Sequence, residues 1–123
     1  NTIVTTITVG AYPSGISYCP TNDRIYISNQ NASSVSVIVP SSNTVTATIP
    51  VGGIPQLSAY CPANDRIYVI CQASGAAYIL NPSTNAVVTN VTLGSTPMGV
   101  AYCPTSNRMY ASNYDSNALS VLT

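Results

Sequence analysis

Cys19, Cys61 and Cys103 stand 42 residues apart, and Cys71 falls outside that spacing. Thiols can crosslink chains, ligate metal or act as nucleophiles. Metal ligation calls for short local spacings and commonly for His, and this chain has no His. A Cys61–Cys71 disulfide is disfavoured by strand geometry. If Cys61 ends one arm of a hairpin that turns over 62–65, Cys71 lies about five residues beyond its level, or ~17 Å. The first reading of all four cysteines is burial as small apolar side chains, and the second is disulfides between repeats or chains. General acid–base work is poorly provided for, because the carboxylates are Asp23, Asp65 and Asp115, with no Glu, Lys or His. No nucleophile elbow, phosphate loop or metal motif is present. The residues therefore lead us to expect no enzyme, no cofactor and no metal.

The 42-residue step extends well beyond the cysteines. Val9-Gly10 recurs as Val51-Gly52 and Leu93-Gly94, and Tyr18-Cys19-Pro20 as Tyr60-Cys61-Pro62 and Tyr102-Cys103-Pro104. Arg24, Arg66 and Arg108 follow, then Tyr26, Tyr68 and Tyr110. A fixed period near 40 residues, built from strands, is the signature of propeller blades. One period reads as four short strands, at 15–19, 24–28, 34–39 and 44–49, broken by Pro, Asn, Asp and Ser turns. The expected fold is an all-β propeller of four-stranded antiparallel blades, three to the chain. The blades divide at roughly 8–49, 50–91 and 92–123. The repeated tyrosines are expected to pack between blades, with their hydroxyls at a polar rim.

The phrases YCPTNDRIYISN and SSVSVIVPSSNTVTATIPVG resemble the YVTN family of β-propeller repeats over essentially the whole chain. The Cys before each Pro and the Val69-Ile70-Cys71 run depart from that family's pattern. The resemblance implies a surface or secreted propeller of the kind found in prokaryotic surface layers, and it implies no particular ligand.

Residues 1–7 align with 43–49, the outermost strand of a blade, and 118–123 align with the third strand at 34–39. Three blades do not close comfortably on themselves. The assembly residues are thus expected to be Thr2, Ile3, Val4, Thr5 and Ile7 at one end and Leu119 and Val121 at the other. One chain's 1–7 strand would complete the last blade of another, head to tail. Two chains would give a six-bladed ring, three would give nine blades, and a rotation that does not close would give a filament. The alternative is a segment of a longer propeller.

The surface reading agrees with an assembled or sugar-covered protein. Formal net charge is zero, from three Arg and three Asp. That leaves no basic face for nucleic acid and little charge to oppose self-association. No stretch is long and apolar enough to span a bilayer. The chain begins at Asn1 without an initiator Met or signal peptide, and reads as a processed or excised product. Asn31-Ala32-Ser33 and Asn90-Val91-Thr92 make Asn31 and Asn90 candidate glycosylation sites. Tyr12, Tyr78 and Tyr114 are not repeated at their positions, and with Asp115 they are the candidate ligand contacts. The expected role is a non-enzymatic extracellular or cell-surface structural block that pairs with itself. The alternative role is a binding module for a glycan, peptide or cell surface.

Overall fold

Strands form here where β-branched and aromatic residues alternate with small polar ones, and stop where Pro, Asn or Asp intervene. The computed structural model describes residues 1–123, which form eleven strands and no helix. The first sheet holds β1 (Pro13–Cys19), β2 (Arg24–Asn29), β3 (Ser34–Val39) and β4 (Thr44–Pro50) in sequential order. The second holds β5 (Pro55–Cys61), β6 (Arg66–Cys71), β7 (Ala76–Asn81) and β8 (Ala86–Thr92). The third has three strands, β9 (Pro97–Cys103), β10 (Arg108–Asn113) and β11 (Ala118–Leu122). All pairs are antiparallel, and β1 lies against β5 and β5 against β9. The first strand of each sheet is therefore innermost, and the three sheets fan outward as propeller blades.

The tight turns rely on residues that tolerate a left-handed backbone. Asp23, Asp65 and Asn107 occupy it in the first turn of each blade, and Asn43 and Asn85 in the third turns. Each blade has two faces, because successive side chains of a strand alternate between them, and the middle blade buries both. At the first seam, Cys19, Tyr26, Val35, Val37 and Ile49 of blade one meet Ile67, Val69, Cys71 and Leu80 of blade two. At the second seam, Cys61, Tyr68, Ile70, Ala77 and Ile79 meet Met109, Ala111 and Leu122 of blade three. Tyr26 and Tyr68 are buried at equivalent points, with hydroxyls held by Asn22 and Asn64 at 3.0 Å each. Glycine permits the closest approach at the inner edge. A Cβ at Gly15 would lie 2.3 Å from the Gln56 carbonyl oxygen and 2.6 Å from Leu57 Cα.

Residues 1–9 belong to no strand. The sequence reading makes 1–7 an outer strand, but within one chain it has no free neighbour to pair with. The outer position of blade one is filled by β4, and β11 lies at the far side of the fan. No helix is long and apolar enough to cross a membrane.

Candidate functional site

The two blade faces that no neighbour covers are the chemically distinctive surfaces of the chain. Strand register defines them. On blade three, Ala101, Tyr110 and Val121 align across the sheet, as do Gly99, Ser112 and Leu119. The Tyr110, Val121, Ser112 and Leu119 positions match ones that blades one and two bury, at Tyr26, Val37, Ser28 and Val35 and at Tyr68, Ile79, Ile70 and Ala77. Leu119 is 58 % exposed, and Val121 is exposed beside it. On blade one the opposite face carries Ile16, Tyr18, Ile25, Ile27, Ser36 and Ile38. Ile16 is 65 % exposed and Tyr18 is also exposed, whereas Ile25 and Ile27 are half-buried and Ser36 and Ile38 are buried. Apolar side chains left in water at both ends favour association.

The two ends of the chain supply matching edges. Ile3 and Val4 are among the most exposed large apolar side chains, Val4 at 92 %. Thr2 and Thr5 are exposed beside them, and Ile7 is half-buried. At the other end, β11 pairs with β10 on one side and with nothing on the other. An unpaired edge of this kind leaves backbone N–H and C=O groups ready to accept another strand. The structure thus leaves Thr2, Ile3, Val4 and Thr5 available at one end and Leu119 and Val121 at the other, without joining them in one chain.

A polar rim seals the first seam. Thr21 Oγ donates to Asp65 Oδ1 across the blades at 2.7 Å, and the Tyr60 hydroxyl donates to the same oxygen at 3.0 Å. Burial first, and then that hydrogen bond, raise the Tyr60 phenol above its ordinary pKa. Cys19 Sγ lies 3.1 Å from Thr21 Oγ. Asn22 Nδ2 donates to the Pro82 carbonyl at 2.9 Å, adding a second tie between blades one and two. The second seam has Ala63 and Asn107 at the positions of Thr21 and Asp65. There, Tyr102 donates to Asn107 Oδ1 at 2.6 Å. Arg24 donates to the carbonyls of Asn22 and Asp23, and Arg66 to that of Asp65, so these two side chains brace turns.

All four cysteines are free thiols. Cys61 pairs in register with Arg66 and Cys71 with Pro55, at opposite ends of one hairpin and on opposite cores. Burial pushes the Cys71 thiol up to about 12. Cys103 is partly exposed on the open face of blade three. Hydrogen bonds from the Ser106 and Thr105 hydroxyls lower it to about 7. No three His, Cys, Asp or Glu side chains converge to hold a metal ion.

The remaining candidates separate. Tyr12, Tyr114 and Asp115 are exposed at the end of the fan where blades connect, and Thr96 Oγ donates to the Asp115 carboxylate. Tyr78 instead packs half-buried against the first core. Asn31 sits exposed in a turn, and Asn90 exposed on β8. Sequence reasoning missed a chain of amides along the inner edge. Gln30 donates to Gln56 at 2.9 Å, and Gln56 to Gln72 at 2.7 Å. A signal was available: Gln30 and Gln72 are repeat equivalents, whereas Gln56 has Ser14 and Met98 as counterparts.

No protein-family model matches the chain, and no curated protein matches its sequence. Solved structures do resemble it. Hydrazine synthase from Kuenenia stuttgartiensis matches 92% of the chain with a TM-score of 0.78 at 23% identity. Virginiamycin B lyase from Staphylococcus aureus matches 92% with a TM-score of 0.77 at 13% identity. A Bacteroides caccae protein of unknown function matches 83% with a TM-score of 0.71 at 17% identity. The chain spans 33%, 38% and 39% of those three chains respectively. At these identities the likeness shows the fold, a three-bladed stretch of β-propeller, and it carries over no activity.

Proposed function

We propose that this chain is a non-enzymatic building block of an extracellular or cell-surface propeller assembly, in which copies join head to tail. The observation that supports the reading is the match between the open faces. Blade three presents Leu119, Val121 and Tyr110 where blades one and two present buried counterparts, and Ala101 where theirs are half-buried. Blade one presents the residues that would cover them. The pairing of β7 with β8 sets Ala77 opposite Val91, Ile79 opposite Thr89 and Leu80 opposite Val87. Carried over by the repeat, this register puts Leu119 opposite Ile7, Val121 opposite Thr5 and Leu122 opposite Ile3 of the next copy. Two copies so joined make a six-bladed ring.

The polar chemistry supports a structural role. Asp23, Asp65 and Asp115 are all engaged by hydroxyl donors, from Tyr18, from Tyr60 and Thr21, and from Thr96. The two named enzymes among the structural neighbours share the fold at identities too low to lend their chemistry. The exposed sequons and the uncharged surface support a place outside the cell. A second reading, that the chain is one stretch of a longer propeller polypeptide, is favoured by its spanning about a third of each structural neighbour. Both readings cover the open faces with further blades. Deleting residues 1–7 separates them from a free-standing unit. On the head-to-tail reading the deletion abolishes higher-mass species while circular dichroism still shows folded blades. A truncated chain that assembles like the full one contradicts it.

A further inference from the structure

The three seams, two inside the chain and one between copies, can be compared position by position. At the first seam, Thr21 of the leading blade meets Asp65 of the following one at 2.7 Å. At the second, the same positions hold Ala63 and Asn107, which lack both the hydroxyl and the carboxylate. At the seam between copies, they hold Thr105 and Asp23, so hydroxyl and carboxylate return together. A second pair of positions behaves in the same way. Ser17 and Ser58 face each other across the first seam, oxygen to oxygen at 3.0 Å. Their equivalents at the second seam, Ala59 and Val100, are both apolar and both pack on the second core. At the seam between copies the equivalents are Ala101 and Ile16, again both apolar and both exposed in the single chain. The second pair of positions matches polar with polar or apolar with apolar at every seam, and at the third seam a hydroxyl meets a carboxylate again when blade one of a second copy follows blade three.

We propose that blade three docks specifically on blade one of a second copy, and that Thr105 and Asp23 form the hydrogen bond that selects this partner. The inference rests on the head-to-tail reading and names its partner. Thr105 is placed for the role as Thr21 is: its hydroxyl lies 3.2 Å from Cys103 Sγ, as that of Thr21 lies 3.1 Å from Cys19 Sγ. Asp23 is equally prepared. It already accepts from the Tyr18 hydroxyl at 3.1 Å, just as Asp65 accepts from Tyr60 at 3.0 Å, and has room for the second donor that Asp65 receives. Docking would set Cys103 in the buried position that Cys19 and Cys61 hold. The partner is therefore a blade face that sets isoleucines beside a small Asn29–Ser34–Ser36 polar cluster and carries one carboxylate at its rim, which blade one supplies.

The test uses substitutions the chain already tolerates at equivalent positions, T105A as in Ala63 and D23N as in Asn107. Sedimentation equilibrium reads the self-association constant of wild type, each single variant and the double variant. Each single variant is expected to weaken association about tenfold, the double no more than either, with thermal unfolding of the unassociated chain unchanged. Alkylation of Cys103 is expected to slow as wild type associates and to stay fast in the variants at the same concentration. Wild type that associates but shows multiplying effects, or none, overturns the selection by Thr105 and Asp23 and leaves head-to-tail assembly standing. Wild type that never associates overturns both.

Discussion

The Thr21 hydroxyl reaches Asp65 Oδ1 at 2.7 Å, joining the first turns of two neighbouring blades above a seam that is otherwise apolar. Repeat equivalence places a residue at this point three times, but only the pair of Thr and Asp makes the bond. Thr21→Val is expected to lower the unfolding free energy by about 1 kcal/mol, since the bond is charged but lies at the rim. Urea denaturation checks this, with Ala63→Val, where no such bond exists, as the control. Equal midpoints for wild type and Thr21→Val would refute it.

Gly15 is where the inner strands come closest. Its missing Cβ makes room for the Gln56 carbonyl and the Leu57 Cα, both backbone atoms that cannot swing aside. Gly15→Ala is expected to cost about 1–3 kcal/mol by forcing blades one and two apart. Gly53→Ala, whose added Cβ meets only the Ala73 methyl at 3.2 Å, is expected to cost less. Thermal unfolding of the two variants ranks them.

Thiol labelling should distinguish the four cysteines in the 1–7 deletion variant. Cys103 is partly exposed and lowered to about 7 by its hydroxyl neighbours, so its alkylation rate should climb through neutral pH as the thiolate forms. Cys19, Cys61 and Cys71 are buried, and Cys71 is pushed up to about 12. These three are expected to react only in denaturant. Mass spectrometry of the labelled chain reads the outcome. Prompt labelling of Cys71 would contradict the packing of the first core.

Alkaline pH provides a further check. Burial raises the phenol of Tyr26, and its hydrogen bond to Asp23 raises that of Tyr18. A phenol raised in the folded state keeps its proton longer there than in the unfolded chain. Its stabilising effect is complete below the unfolded value near 10 and is lost as pH climbs through the folded value. The unfolding midpoint is thus expected to fall above about pH 10, and less steeply in Tyr26→Phe once its own stability loss is set as baseline.

Much of the fold was legible because it repeats. Proline and Asx residues mark strand ends three times over, so strands read at 24–28 and 34–39 appear as Arg24–Asn29 and Ser34–Val39. The burial of Tyr26 and Tyr68 followed from the same logic. Other features were hidden because they depend on which blades touch. The amide chain from Gln30 to Gln56 and on to Gln72 crosses the first seam once, joining residues 26 apart that no local pattern places together. The Thr21–Asp65 bond spans 44 residues. Tyr78 stood out as an exception to the repeat, yet it fills space beside Gly52, where an added Cβ would lie 2.5 Å from its ring. An exception to a repeat can thus answer a neighbouring small residue as readily as a ligand.

The most direct test of head-to-tail joining is native mass by light scattering over a concentration series, for wild type and for Leu119→Asp/Val121→Asp. Both substituted side chains are exposed in the single chain, so the variant is expected to fold. Wild type is expected to run at multiples of 12.8 kDa, with two chains for a six-bladed ring, and the variant at 12.8 kDa throughout. Wild type that stays at the mass of one chain at every concentration would contradict the account.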